Sequence, residues 1–216
     1  NCGGYVDHFN KITTYNTHVN GCKNIYKLSL DKKLKLFVQI GSASEYGSIK
    51  SPHREDKKGN PKDNYGMNKL ENTNFFVNLK NYFPFVIIRP YQVYGPRQDN
   101  NRLIPFIISS CIRNKAFPCS NGLQYRDFLY IDDFVLAVYK IVIKKDSYGQ
   151  IFNIGTGKPV RVKKIIEKIC NKIKSGTPEY GKILLRKNEQ KKLFPSIKKA
   201  TEILNWSPKV KLDKGL

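Results

Sequence analysis

The stretch Leu36-Phe-Val-Gln-Ile-Gly-Ser-Ala-Ser-Glu-Tyr-Gly47 passes from a short apolar, β-branched run straight into small and hydroxylated residues. An apolar run of that length bounded by polar or turn residues reads as a strand buried on both faces of a parallel sheet. Phe85-Val-Ile-Ile88 is a second run of the same kind. Between the two, Pro61, Asp63 and Asn64 supply a helix-start signal, and Leu70, Phe75, Phe76 and Leu79 then recur at roughly helical spacing. Strand, helix over 65–79 and strand, in that order, make the crossover of a right-handed βαβ unit.

Working outward, residues 104–113, 132–143, 162–174 and 197–204 carry helical apolar spacing, and Ile151-Phe-Asn-Ile154 reads as a further short strand. The alternation indicates an α/β fold built on a parallel sheet. Gly95-Pro-Arg-Gln98 and Gly155-Thr-Gly157 mark breaks where the chain can leave that sheet, and shorter elements richer in Pro and Lys follow them. The expected division is a sheet domain over 1–95 and 125–155 and a smaller second lobe over 96–124 and 156–216.

A chain of 216 residues is long enough to bury a real core. No apolar run reaches the roughly 18 residues of a membrane span, and the first residues do not read as a signal peptide. Cys2, Cys22, Cys111, Cys119 and Cys170 are odd in number and scattered, without any C-x-x-C, which suits a reducing, cytoplasmic setting. His8, His18 and His53 form no metal-like cluster, so no metal is expected. The formal charge of +22 draws anions, but 31 Lys against 8 Arg, spread along the whole chain, describe a solvated surface. No aromatic-plus-arginine stripe or zinc finger appears, so nucleic acid is not the expected partner.

Tyr65-Gly-Met-Asn-Lys69 opens the 65–79 helix, and residues four apart share one face. Spacing alone is weak: with 13 Tyr among 216 residues, about two Tyr-x-x-x-Lys pairs arise by chance, and two are present. The other, Tyr46 and Lys50, runs through Gly47 and Ser48 into Ser51-Pro52 and reads as loop. Helical context therefore selects Tyr65. No Gly-x-Gly-x-x-Gly or Gly-x-x-Gly-x-x-Gly lies between a strand and a helix.

Five blocks in order resemble the extended short-chain dehydrogenase/reductases, specifically the NAD-dependent nucleotide-sugar epimerase/dehydratase family. They are Gly41-Ser-Ala-Ser-Glu-Tyr-Gly47, Tyr65-Gly-Met-Asn-Lys69, Arg89-Pro-Tyr-Gln-Val-Tyr-Gly-Pro96, Tyr125-Arg-Asp-Phe-Leu-Tyr-Ile-Asp-Asp133 and Phe152-Asn-Ile-Gly-Thr-Gly157. Lys199-Ala-Thr-Glu-Ile-Leu-Asn-Trp-Ser-Pro208 is a weaker sixth. The resemblance implies a Rossmann-type parallel sheet, with 1–95 and 125–155 as the remainder of an NAD-binding domain and 96–124 and 156–216 as a smaller C-terminal substrate lobe; the family carries its glycine-rich turn in a first βαβ unit, so this unit, on the order of 60 residues, is expected to precede the chain. As a fragment lacking that unit, the chain is expected to bind NAD poorly, to be inactive and to aggregate through exposed edge and apolar faces.

The resemblance implies NAD as cofactor, with NADP left open, and a nucleotide-diphosphate sugar as substrate, in a homodimer serving surface-polysaccharide precursor synthesis. It makes Ser42, Tyr65 and Lys69 catalytic, with Lys69 also on the nicotinamide ribose and Ser42 on the reacting hydroxyl. A phenol of ordinary pKa about 10 must fall about 3 units to act at neutral pH, or about 4 kcal/mol. An ammonium about 5 Å away contributes about 3 kcal/mol at an effective dielectric near 20, and the positive nicotinamide ring is expected to supply the rest. Pro90 and Tyr91 are expected beside the nicotinamide, and Ser44, Gln92, Arg102 and Arg126 on the substrate. A guanidinium such as that of Arg126 can chelate a diphosphate, the alternative being an ion pair with Asp127 or Asp132. Asp132 and Asp133 are expected to cap the following helix.

The implied reaction is 4-epimerisation through a transient 4-keto sugar. Dehydratases of the family place an acidic pair directly after the Ser/Thr, where this chain has Ala43 and Ser44. Glu45, one place later, would restore an acid only if the loop shifted. A nucleotide-4-keto-6-deoxysugar reductase, a 4,6-dehydratase and a catalytically silent nucleotide- or partner-binding relative are the alternatives.

Overall fold

The computed structural model describes residues 1–5, 10–185 and 189–216; His8 lies outside the described residues. Lys11–Tyr15 (α1), a π-helical turn at Asn16–Asn20 and Gly21–Ser29 (α2) form one nearly continuous helix. The sequence gives little local sign of it, because Asn16, Asn20 and Asn24 are mediocre helix formers and Gly21 is worse. What stabilises it is tertiary: Thr14, His18, Val19 and Cys22 are buried, and Asn72 donates a hydrogen bond to the His18 carbonyl.

Phe37–Ile40 (β1), Asn64–Asn78 (α3) and Phe85–Pro90 (β2) are the expected βαβ unit, and Gln92–Tyr94 (β3) follows directly. Next come Leu103–Ile112 (α4), Ala116–Cys119 (β4), Tyr125–Arg126 (β5), Phe128–Tyr130 (β6), Ile131–Ile143 (α5) and Gln150–Ile154 (β7). Val160–Arg161 (β8), Val162–Ile173 (α6), Thr177–Tyr180 (β9), Lys192–Leu193 (β10), Lys198–Leu204 (α7) and Leu212–Gly215 (α8) complete the described elements.

The main sheet runs β1-β2-β7, all parallel, with Phe37 opposite Phe85 and Ile88 opposite Phe152. As the central strand, β2 is buried on both faces, and its period of two divides it cleanly. Phe85 and Ile87 join Cys22, Phe37, Phe76 and Phe83 beneath α2 and α3, while Val86 and Ile88 join Phe152, Ala137, Ile141 and Trp206 beneath α5 and α7. Each such side chain contributes about 1.5–3 kcal/mol on burial, so this strand fixes both layers.

A second core gathers Ile104, Ile107 and Cys111 of α4, Phe117 and Cys119 of β4, and Val162, Ile165, Ile166 and Ile169 of α6. Packing crosses the expected boundaries in both directions: Tyr94 and Phe128 enter this second core, whereas Ala200, Leu204 and Trp206 pack on the main sheet. The expected capping by Asp132 and Asp133 is corrected as well. Tyr130 occupies the N-cap of α5 without a side-chain bond, and Asp132 is exposed. Asp133 is buried and accepts the backbone N–H groups of Lys209, at 3.0 Å, and Val210, at 2.9 Å. The reason is that Trp206 seals the sheet core there, donating its indole N–H to the Asp133 carbonyl at 3.0 Å, which brings the 206–210 segment over the helix start.

Among the described residues no helix is long and apolar enough to cross a membrane, and no three His, Cys, Asp or Glu side chains are grouped to hold a metal.

Candidate active site

Where β1 ends, Gly41 lets the chain turn through Ser42 into a 3-10 turn at Ala43–Tyr46. Ser42 and Glu45 form a reciprocal capping box: the Ser42 hydroxyl accepts the Ser44 N–H at 3.1 Å, and the Ser42 N–H donates to Glu45 Oε1 at 2.8 Å. Any side chain at position 41 would put its Cβ 2.4 Å from that carboxylate oxygen, so glycine is required. The first turn of α3 closes on the same loop, with Asp63 as N-cap accepting the Gly66 N–H at 2.9 Å. A Cβ on Gly66 would lie 2.7 Å from the Ser44 carbonyl, so this close approach too depends on glycine.

These contacts bring Ser42, Tyr65 and Lys69 together. The Tyr65 hydroxyl lies within interaction reach of the Ser42 hydroxyl. Lys69 Nζ lies 5.7 Å from the Tyr65 ring centre and donates to the Ile40 carbonyl at 2.9 Å. His18, in the π-helical turn, packs edge-on against Tyr65, ring centres 5.2 Å apart.

The Tyr65 phenol is not lowered on balance, although Lys69 stands beside its ring. Burial pushes that phenol above its usual value and the Glu45 carboxylate adds to the rise, while the Ser42 hydroxyl and the Arg102 charge oppose them. Burial also pushes the Lys69 ammonium down, with Glu45 opposing. The ammonium is engaged with Ile40, and burial outweighs Ser42 and Arg102, so the Tyr65 phenol stays above its ordinary value.

Glu45 is turned away from the loop surface. It is fully buried; Oε2 accepts Thr73 Oγ1 at 2.7 Å and Arg89 Nε at 2.8 Å. The expectation that it could serve as the missing loop acid is therefore corrected: its lone pairs already serve Ser42, Thr73 and Arg89. Arg89 in turn lies 4.6 Å over the ring of Tyr46, whose hydroxyl donates to Asn153 at 2.8 Å, and burial pushes the Tyr46 phenol up to about 12. Tyr46 is thus a wall of the core, while Lys50 is exposed.

Pro90 is half-buried and Tyr91 buried at the end of β2. The Tyr91 hydroxyl meets His53 Nδ1 at 2.9 Å, inside the protein. Because His53 Nε2 faces the Ile49 carbonyl at 3.0 Å, an acceptor only, Nε2 carries the proton, and Tyr91 donates to Nδ1. Burial holds this imidazole below its usual pKa and pushes the Tyr91 phenol far up.

On the far side of β3 lies a cavity of about 490 Å³, in the size range of small-ligand sites. Gln92, Gln124 and Arg126 are among its polar lining residues; Leu103, Phe106 and Ile107 of α4 and Val162 and Ile166 of α6 line it with apolar side chains. Arg126 pairs with neither Asp127 nor Asp132. It donates to the carbonyls of Tyr125, at 2.7 Å, and Gln190, at 2.9 Å, and to the Glu189 carboxylate, which also lines the cavity. Asp127 is occupied by the N–H groups of Thr156 and Gly157, both at 2.7 Å. Arg102, exposed at the start of α4, lies within electrostatic reach of Tyr65, and its neighbours Asn101 and Leu103 line the cavity. Ser44 is half-buried in the loop between Ser42 and Glu45.

Sequence reasoning missed the roles of Glu45, His53, Asp127 and Glu189. Ser42-x-x-Glu45 is a legible capping-box pattern; the other three act over long separations that no local signal carries.

The model of the NAD dependent epimerase/dehydratase family matches residues 3–155. Among curated proteins, mouse dTDP-D-glucose 4,6-dehydratase is 28% identical over 217 residues, covering 96% of this chain and 59% of that protein. CDP-abequose synthase of Salmonella muenchen is 31% identical over 134 residues, covering 61% of this chain and 45% of its own length. The chain thus spans less than two thirds of these relatives. Among solved structures, UDP-glucuronic acid 4-epimerase from Bacillus cereus, in complex with UDP-glucuronic acid and NAD, superposes with a TM-score of 0.89 at 27% identity, covering 99% of this chain and 71% of that one. With a parallel sheet, a Ser-Tyr-Lys cluster at the end of its first described strand and a family match over most of its length, the chain belongs to the NAD-dependent epimerase/dehydratase family.

Proposed function

We propose that this chain is part of a nucleotide-sugar 4-epimerase working through a transient 4-keto sugar, in a protein that makes precursors of surface polysaccharide. The carrying observation is the Ser42–Tyr65–Lys69 cluster in a loop whose acidic positions hold Ala43 and Ser44, with Glu45 committed to Arg89 in the core. The cluster suits removal and return of a hydroxyl proton, and the loop carries no spare acid to expel water from C5–C6.

NAD is the family's cofactor, and the residues fit it. The only hydrogen bond of Lys69 Nζ among the described residues goes to Ile40, leaving donors at the carboxyl end of the sheet, where ligands of open α/β sheets bind. Lys69 would hold the nicotinamide ribose, with Pro90 and Tyr91 flanking the ring. When bound, NAD supplies the acceptor and donor of hydride. Tyr65 takes the proton of the sugar 4-hydroxyl and later returns it; Ser42 hydrogen-bonds the same oxygen and orients it. Arg126 and Gln92 face the cavity, whose size and polar lining residues suit a nucleoside diphosphate, and Arg102 spans the gap toward the sugar. Arg126 reaches phosphate by exchanging Glu189 for it. Exposed apolar residues on neighbouring helices, Ile25 and Leu28 of α2 with Met67 and Val77 of α3, support a homodimer.

A second reading, a 4-keto-6-deoxysugar reductase, fits the same site because it needs no loop acid either, and Glu45 is held by Arg89. Two incubations of the complete protein followed by NMR separate the readings: nucleotide sugars deuterated at C4, and a nucleotide-4-keto-6-deoxysugar supplied with reduced cofactor. Epimerisation inverts C4 and keeps the deuterium; reduction consumes a 4-keto-6-deoxy substrate together with reduced cofactor. Loss of water to give a 4-keto-6-deoxy product would overturn both.

A further inference from the structure

Two thiols the reaction does not use stand in contact. Cys111 of α4 and Cys170 of α6, 59 positions apart in sequence, approach to 3.6 Å between their sulfurs. Cys111 is fully buried and Cys170 half-buried. Each cysteine sits four residues, one helical turn, after an isoleucine that lines the cavity: Ile107 before Cys111, and Ile166 before Cys170. The two sulfurs therefore lie at the foot of the apolar lining on the same helix faces that form it. Behind Cys111 the chain leaves no slack, since a Cβ on Gly176 would meet its sulfur at 2.6 Å.

We propose that Cys111 and Cys170 form a reversible disulfide under peroxide or disulfide stress, and that this link tightens α4 against α6 and weakens nucleotide binding in the adjoining cavity. The second half rests on the nucleotide reading above. The half-buried Cys170 is the entry point. Its thiolate attacks hydrogen peroxide, the O–O bond breaks, and Cys170 becomes a sulfenic acid with release of water once hydroxide is protonated. The Cys111 sulfur then attacks the sulfenic sulfur, forming the S–S bond and releasing a second water. In total two thiols and one peroxide give one disulfide and two waters. Burial pushes the Cys111 thiol up to about 11, so it is not the thiol that meets peroxide first. Closing from 3.6 Å to the covalent length of about 2.05 Å draws the helices together by up to about 1.5 Å, one turn from the cavity wall. Cys119 is buried in the same core and is the control for non-specific oxidation.

The test treats the complete protein with hydrogen peroxide or diamide, maps tryptic peptides by mass spectrometry, and measures affinity for UDP by calorimetry before and after oxidation. The expected result is a peptide pair joined through Cys111 and Cys170, absent in Cys111→Ser and in Cys170→Ser, kept in Cys119→Ser, and reversed by dithiothreitol. UDP affinity is expected to fall about tenfold on oxidation and to stay unchanged in oxidised Cys170→Ser. Modification of exposed Cys2 without any 111–170 link overturns the proposal. A link that leaves UDP affinity within twofold overturns its coupling to the cavity. Absence of UDP binding by the reduced protein overturns the nucleotide reading, and with it that coupling, while peptide mapping still decides whether the link forms.

Discussion

Replacing Glu45 by Gln removes a single negative charge from beneath Ser42 and preserves the volume. Glu45 is fully buried and accepts three hydrogen bonds, from Ser42 N–H at 2.8 Å, Thr73 Oγ1 at 2.7 Å and Arg89 Nε at 2.8 Å. Either orientation of the new amide sets its NH2 against a donor: toward Oε1's place it meets the Ser42 N–H, and toward Oε2's place it meets Arg89. Thr73 can rotate its hydroxyl to adapt, but Arg89 cannot, and its Nη1 already lacks a hydrogen-bond partner among the described residues. The substitution thus leaves a buried guanidinium uncompensated, which costs about 3–5 kcal/mol. For a chain of this size each kcal/mol lowers the melting temperature by about 2–4 °C, so a fall of about 6–20 °C is expected. Thermal unfolding followed by circular dichroism measures the fall, and equilibrium urea unfolding measures the free-energy loss. In the double variant Glu45→Gln/Arg89→Met the stranded charge is gone, so the loss should be smaller than the sum of the single losses by at least about 2 kcal/mol. Additivity within about 0.5 kcal/mol would refute the reading of this pair as a coupled anchor of the loop.

Burial holds the His53 imidazole below its ordinary pKa in the folded chain, so on acidification the unfolded chain takes up the proton first. Stability should therefore fall as pH drops below about 6.5, by up to about 1.4 kcal/mol per pH unit until the folded-state pKa is reached. Urea midpoints at pH 7.5 and 5.5 should separate more in the parent than in His53→Gln; equal separations would contradict this. Asp133→Asn trades one of two carboxylate acceptors for a donor facing the N–H groups of Lys209 and Val210, at a cost of about 1.5–3 kcal/mol. Amide hydrogen exchange at those two positions should accelerate with it, and unchanged exchange would show that the carboxylate does not hold this segment.

The parts of the fold legible in the sequence are those whose signal is local. Phe85-Val-Ile-Ile88 announces a strand buried on both faces because every residue is apolar, and α3 announces itself through Asp63 and its apolar spacing. The helix over 11–29 was not legible, since its Asn- and Gly-bearing sequence is helical only when Thr14, Val19 and Cys22 are packed. β4 and β9 each contain a proline and, among the described residues, pair with one another alone, so their strand character comes from the contact between them. The Tyr65–Lys69 face was readable from spacing and helical context. The inward turn of Glu45 depends on Arg89, and the engagement of Arg126 depends on Glu189, partners 44 and 63 residues away that no window along the chain reveals.

The central claim is that Tyr65 carries the proton in a Ser42–Tyr65–Lys69 centre. It is tested most directly by comparing Tyr65→Phe with the parent in the complete protein, measuring nucleotide-sugar turnover and nucleotide-sugar affinity side by side. The account predicts a fall in turnover of about 10²–10⁴-fold, with affinity changed by no more than a few-fold. Turnover equal to that of the parent would contradict it.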